Sequence, residues 1–450
     1  MKVLATGLLL MGIFSSPLIW ADDTQPAQES EDAELDLGDD FDLEDAFDDT
    51  SFDDLEFEEI PEQSNWFLDT FSVELKHSLT TSKLAGWDFI GNQSSAIIGW
   101  SDSLHTSLYG EFEGQLNVFY GDDANLEDED VEGEGVINTA FFQTSLGNLS
   151  ARAGYFVIGW GEVEGSGVLD VINPSPAITS SGGLDITGDS QLFVSGNAFL
   201  GQQTLSAFVN LRPEFTEVPG FDEPDTDDLE FGLKFSTDVG QSDVSFYLAS
   251  LLPNQPSLNP ESLTSTPELT ASPYQLIGIS ANKPINKLLL KLDVALKNEV
   301  ETLASAIPLP TLESTQRIDL GLGLEYSFDE NKQITAALFT RHFSQYEDNF
   351  LAAVVPLPDN SLQEFEAEQT SSTALLAFSD AYLNTDLTLE LALLGSINGE
   401  MLLLTGELAY QLNDRWKVST SALTATADED GLFAQFDGET RLSATVSWSN

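Results

Sequence analysis

From Phe71 to Trp448, segment after segment alternates apolar and polar residues. The run Ile318-Asp319-Leu320-Gly321-Leu322-Gly323-Leu324-Glu325-Tyr326-Ser327-Phe328 shows it most plainly: every second residue is apolar, and the rest are Asp, Gly, Glu and Ser. Successive side chains of a strand point to opposite faces, so each such segment has one apolar and one polar face. A two-sheet sandwich also alternates, with its apolar faces packed on each other. Loop lengths and the start of the chain separate these alternatives.

Short connections at Gly147-Asn148, Gly201-Gln202-Gln203, Lys283–Asn286, Asp329–Lys332 and Asn413-Asp414 interleave with long ones. The long ones run over Gly121–Gly135, Gly161–Thr187, Arg212–Asp228, Leu252–Pro273, Asn298–Thr315 and Phe343–Gln369. Tight turns at one end and long loops at the other are the pattern of a transmembrane barrel. Spanning strands take about 9–11 residues, so residues 65–450 have room for roughly 16–18 of them. The expected fold is therefore all-β, a transmembrane antiparallel β-barrel of about 16–18 strands. A soluble sandwich does not account for the loop asymmetry. Gly110/Gly114 and Gly321/Gly323 are expected to ease barrel curvature. Trp66, Trp100, Tyr120, Trp160, Tyr326, Tyr410, Trp416 and Trp448 are expected in the interfacial girdles. The last strand, Leu442–Trp448, ends in an aromatic residue as a signal for outer-membrane assembly machinery would, with Ser449-Asn450 following.

The chain opens with Lys2, an apolar run from Val3 to Trp20, then Ala21 and Asp22-Asp23. That order predicts a signal peptide over residues 1–21 and export. Residues 22–63 hold 20 Asp and Glu and no Lys or Arg. Such charge density cannot collapse, so residues 22–64 are expected to form a disordered periplasmic tail. Leu35, Leu37, Phe41, Leu43, Phe47, Phe52, Leu55 and Phe57 punctuate its acids, a pattern fitting either a spacer or a segment that docks on a periplasmic or inner-membrane transporter partner.

Cysteine is absent, which excludes disulfides, thiolate metal sites and a lipid-anchored cysteine. The net charge of −60 argues against nucleic acid and anionic membrane surfaces as partners, and the barrel itself implies outer-membrane lipid around it. His77, His105 and His342 are the only histidines, on separate segments and outside any nucleophile motif. No catalytic residue, metal site or cofactor is predicted.

The polar strand faces carry Glu111, Glu113, Arg152, Glu230, Lys234, Lys291, Asp293, Lys297, Asp319, Glu325, Arg341, Glu390 and Glu407, which a barrel points into its lumen. Both signs are present, fitting either an internal salt-bridge network or a polar path past a constriction. Ala306-Ile307-Pro308-Leu309-Pro310 and Val354-Val355-Pro356-Leu357-Pro358 place apolar residues in successive long loops. Apolar loops facing water are a liability, so Ile307, Leu309, Val355 and Leu357 are expected either to pack as a lid or to line an apolar vestibule.

The segment Arg152-Ala153-Gly154-Tyr155-Phe156-Val157-Ile158-Gly159-Trp160-Gly161-Glu162, followed by Val168-Leu169-Asp170-Val171-Ile172-Asn173-Pro174, resembles a family of Gram-negative outer-membrane proteins of unknown function. That family is porin-like and alginate-export-like in style. Tyr155-Phe156 stand where it has Arg-Gln, and Arg212-Pro213-Glu214-Phe215 resembles its Pro-Glu-Phe corner. The resemblance implies a barrel associated with the handling of lipids or other hydrophobic compounds. Physically, Asn173-Pro174 are expected to fix a tight turn and Trp160 to anchor the start of that loop at the outer rim, so Trp160, Gly161, Glu162, Asn173 and Pro174 serve structure or binding.

Two functions fit. One is an outer-membrane channel or transport component for small, hydrophobic solutes. The other is a non-conducting scaffold whose acidic tail recruits a periplasmic partner.

Overall fold

The structure, a computed structural model, describes residues 70–120, 131–163, 167–174, 189–216, 221–260, 262, 268–307, 309–356, 362–383, 385–428, 431 and 433–450. The proposed signal peptide and acidic tail, Trp66 and Leu357 lie outside the described residues.

The alternating segments become strands. In chain order these are β1 (Phe71–Ser82), β2 (Asp88–His105), β3 (Leu108–Tyr120), β4 (Val131–Leu146), β5 (Leu149–Phe156), β6 (Gln191–Phe199), β7 (Gln203–Arg212) and β8 (Glu230–Val239). There follow β9 (Ser242–Leu251), β10 (Ser257–Leu258), β11 (Leu269–Thr270), β12 (Tyr274–Ile285), β13 (Leu288–Ala304), β14 (Thr311–Asp329) and β15 (Lys332–Phe343). The last are β16 (Phe350–Pro356), β17 (Leu362–Glu366), β18 (Thr370–Tyr382), β19 (Leu387–Ser396), β20 (Met401–Asn413), β21 (Trp416–Ala427) and β22 (Thr440–Ser449).

Eighteen of these strands form a closed antiparallel barrel, the upper end of the expected range. β1 pairs with β22 from Glu74↔Ser449 to Ser82↔Arg441, which leaves no free edge. Asn450 tightens this seam: its Oδ1 accepts the Val73 N–H at 2.8 Å. The β10–β11 pair stands apart, and the β16–β17 hairpin extends the wall by pairing Leu303↔Leu351 and Ala304↔Phe350.

Tight turns and long loops lie at opposite ends, and several of the expected loops contain strand: Val131–Gly135 belongs to β4, and Leu252–Pro273 holds the β10–β11 pair. Most of Asn298–Thr315 is strand, because β13 and β14 run 17 and 19 residues. A bulge at Glu299, with φ 61°, lets their ladder continue past Lys297. The Phe343–Gln369 connection contains the β16–β17 hairpin.

Apolar residues on the outward face, such as Leu116, Phe231, Leu248 and Leu322, are exposed as a lipid-facing band requires. Tyr120, Tyr326, Tyr410 and Trp416 are likewise exposed. Trp160 differs: it is only 5% exposed and packs inside the barrel.

Candidate functional site

The connection after β5 folds into the lumen. Its side chains Trp160, Val163, Val168, Leu169 and Ile172 are all buried. The barrel wall supplies the surface they need. Inward-facing Phe193, Phe208, Tyr247, Leu276 and Ala295 form one apolar cluster with the loop. Trp160 stands 4.9 Å from Tyr247 and 5.4 Å from Phe208, centroid to centroid, in tilted and edge-on geometries. Each buried side chain of this size stabilises by about 1.5–3 kcal/mol, so burial holds the segment against the wall.

The loop backbone is satisfied by wall side chains, as buried peptide groups must be. Asp293 on β13 is fully buried, and its carboxylate accepts the N–H groups of Glu162 (3.0 and 3.1 Å) and Val163 (3.0 Å). Gly161 donates its N–H to Tyr247 Oη at 3.3 Å, and Asn282 Nδ2 donates to the Glu162 carboxylate at 2.8 Å. The two limbs of the loop are tied by Asn173, which accepts the Ile158 N–H (3.3 Å) and donates to the Ile158 carbonyl (2.8 Å). Gln191 Nε2 donates to the Ile172 carbonyl at 2.8 Å.

Close approach explains the glycines. Gly161 has φ +92°, and a β-carbon there would lie 2.6 Å from Asp293 Oδ2. A β-carbon at Gly278 would meet Leu169 at 2.3 Å. Gly321 and Gly323, expected only to ease curvature, give Val163 its place against β14: β-carbons there would lie 3.4 and 3.3 Å from its side chain.

Beside the loop, three cations converge. Lys297, Arg317 and Arg341 project inward from β13, β14 and β15, in paired registers Lys297↔Arg317 and Asp319↔Arg341. Asp319 binds Lys297 at 2.7 Å and Arg317 at 2.9 Å, and Lys297 also donates to the Gly167 carbonyl at 3.2 Å. Within the cluster itself, one carboxylate meets these three cations. A cavity of about 430 Å³ opens here, lined by Lys297, Arg317 and Arg341, by the carboxylates of Asp170, Glu301, Glu366, Glu368 and Glu400, and by Tyr274 and Phe343. Burial pushes the Asp170 carboxyl up to about 7, against the Trp160 N–H that it accepts and with added repulsion from Asp293.

Below Arg341 the inner wall turns apolar. Phe339 and Ala337 follow at alternate positions of β15 and cluster with Leu375 and Ala377 of β18, Ala392 of β19 and Val163 of the loop.

The other sequence-predicted residues occupy varied inner-wall positions. Glu111 accepts the Tyr109 hydroxyl, and Glu113 accepts an Asn138 amide hydrogen. Arg152 stacks over Phe141 and Phe156, at 4.2 and 5.1 Å from the ring centroids. Buried Glu230 accepts from Asn210 and from the Leu252 N–H, and Lys234 lies 5.4 Å from the Tyr247 ring centroid. Lys291 pairs with Glu325. Glu390 and Glu407 face each other directly across β19 and β20. Ile307 is fully exposed, Leu309 is half-buried, and Val355 lies on β16. Among the described residues the histidines stay apart: His77 contacts Ser94, His105 contacts Thr106 and Ser107, and His342 contacts Thr370. Arg317 escaped the sequence reading because it follows a stretch read as loop. Its position two residues before Asp319, on the same face, was the available signal.

No protein-family model and no curated protein matches the chain. Solved structures do. OpdK of Pseudomonas aeruginosa with vanillate gives a TM-score of 0.53 at 7% identity, covering 85% of this chain and 98% of that one. OccK9 (OpdG) of the same organism gives 0.52 at 10% identity, covering 84% and 97%. OccAB1 of Acinetobacter baumannii gives 0.50 at 10% identity, covering 85% and 96%. The shared property is the fold. This chain has the same closed antiparallel barrel.

Proposed function

We propose that this barrel is a selective outer-membrane channel for small amphipathic anions, solutes joining an anionic head to an apolar body. The observation that carries this reading is the cavity beside the loop, where Arg317 and Arg341 share the lining with apolar Phe343, Leu351 and Phe365. A chain this acidic repels anions at long range, and carboxylates line the same cavity, so anion passage depends on the cluster of Lys297, Arg317 and Arg341 itself. These apolar lining residues support the hydrophobic character expected from the sequence, now as the body of the solute. Vanillate, bound in the OpdK structure, is an aromatic carboxylate of this kind. The likeness of Trp160–Pro174 to an uncharacterised porin-like family belongs to the same proposal.

Proteoliposome uptake tests it. Benzoate should enter faster than benzyl alcohol, and Arg317→Gln with Arg341→Gln should abolish that preference while leaving a heat-modifiable barrel. Equal uptake of both solutes by the native chain would refute the reading. An impermeable native barrel would favour the scaffold.

A further inference from the structure

The Trp160 indole occupies a slot that the barrel wall builds from three neighbouring strands. Phe208 of β7 is in register with Gly232 of β8, and Lys234 of β8 with Tyr247 of β9, so the four share one stretch of inner wall. Gly232 is the floor: a β-carbon there would lie 2.5 Å from both the indole and the Phe208 ring, so any larger residue would fill the slot from below. Phe208 and Tyr247 are its sides, and both are buried.

The indole is held differently from the backbone around it. Asn173 brackets Ile158, and Tyr247 Oη accepts the Gly161 N–H, so the chain on either side is fastened by hydrogen bonds. The indole has ring packing alone: its Nε1–H meets no acceptor among the described residues, although a buried Trp N–H ordinarily finds one. Displacing the ring therefore forfeits no hydrogen bond, and the backbone stays docked while the side chain rotates. A β-carbon at Gly159 would meet nothing within 4 Å, so open space adjoins the residue. Lys234 stands beside the slot, its ammonium 5.4 Å from the Tyr247 ring centroid, with no carboxylate partner among the described residues.

We propose that this slot is a binding site for a flat aromatic carboxylate, and that Trp160 is its built-in occupant, displaced by that ligand. The assignment rests on the reading of the barrel as a channel for amphipathic anions. An aromatic body of indole size takes the place of the indole between Phe208 and Tyr247 over Gly232, and its carboxylate meets the Lys234 ammonium. The indole is tethered, so it competes at high effective concentration. A neutral ring gains only the packing that the indole already makes. The ion pair with Lys234 is the surplus that lets an anion win.

The probe is 2-naphthoate, with 2-naphthylmethanol as its neutral counterpart, titrated calorimetrically into the detergent-solubilised full chain. Trp160→Ala vacates the slot and should tighten 2-naphthoate binding roughly ten-fold or more. Adding Gly232→Val refills it and should reverse that gain. Lys234→Gln in the Trp160→Ala chain should remove the preference for 2-naphthoate over the alcohol. In the unaltered chain carrying 5-fluorotryptophan, the Trp160 fluorine resonance, assigned by its loss in Trp160→Phe, should move to a solvent-exposed position as 2-naphthoate is added. Arg317→Gln with Arg341→Gln, which tests the channel reading itself, should leave binding at the slot unchanged. Five results would each overturn the proposal: no tighter binding in Trp160→Ala, a gain that survives Gly232→Val, a preference that survives Lys234→Gln, an unmoved Trp160 resonance, or loss of binding in the double arginine variant.

Discussion

Gly278 on β12 lies directly beneath Leu169 of the inward loop: a β-carbon at Gly278 would come within 2.3 Å of Leu169 Cδ2, and Leu169 is fully buried. The wall is hollowed where the loop needs space. Gly278→Val should therefore lift the loop, giving a several-fold larger single-channel conductance with an intact barrel. Gly196→Val is the control, since the nearest atom to its β-carbon, the Ser150 carbonyl oxygen, lies 3.7 Å away. An unchanged conductance in Gly278→Val would show that the docked loop does not set the aperture.

Asp293 clasps the same loop by accepting the Glu162 and Val163 N–H groups. Hydrogen bonds to a charged group are worth about 1.5–3 kcal/mol, so Asp293→Ala should weaken docking by that amount. Amide exchange at Glu162 and Val163 is the measurement, with acceleration of roughly ten-fold or more expected. Asp293→Asn keeps one acceptor oxygen and should lose less.

Asp319 is the only carboxylate bonded to Lys297 and Arg317 among the described residues. Removing one partner of a buried ion pair costs about 3–5 kcal/mol, and Asp319→Asn should lower the thermal midpoint accordingly. The same change strips the negative charge from the cation cluster, so anion over cation permeability should rise. A fall in that ratio would place the cluster off the permeation path.

Asp170 gives the docking of the loop a pH dependence. Burial raises its folded-state value to about 7, above the ordinary carboxylate value of about 3.9. A raised carboxyl favours the docked state while protonated. That advantage is lost as pH climbs from about 4 to about 7, and stays lost above it. Exchange protection of the loop, corrected for intrinsic rates, should be greater at pH 5 than at pH 8, and Asp170→Asn should remove the difference. Equal pH dependence in both chains would assign the effect to another group.

The sequence alone determined which way each strand side chain faces and where turns alternate with loops. Both are local consequences of a two-residue period, so Asp293, Asp319 and Arg341 could be placed on inner faces from Ile318–Phe328 and its counterparts. It could not show that Trp160 leaves the membrane girdle for the lumen. An aromatic residue near a strand end fits either place, and the choice rests on Phe208, Tyr247 and Gly232, which lie far along the chain. Nor could it show that Gly278 and Gly321 make room for Leu169 and Val163, or that Lys297, Arg317 and Arg341 meet around one carboxylate. Those depend on the stagger of neighbouring strands, including the bulge at Glu299, and stagger is fixed only when the sheet closes on itself.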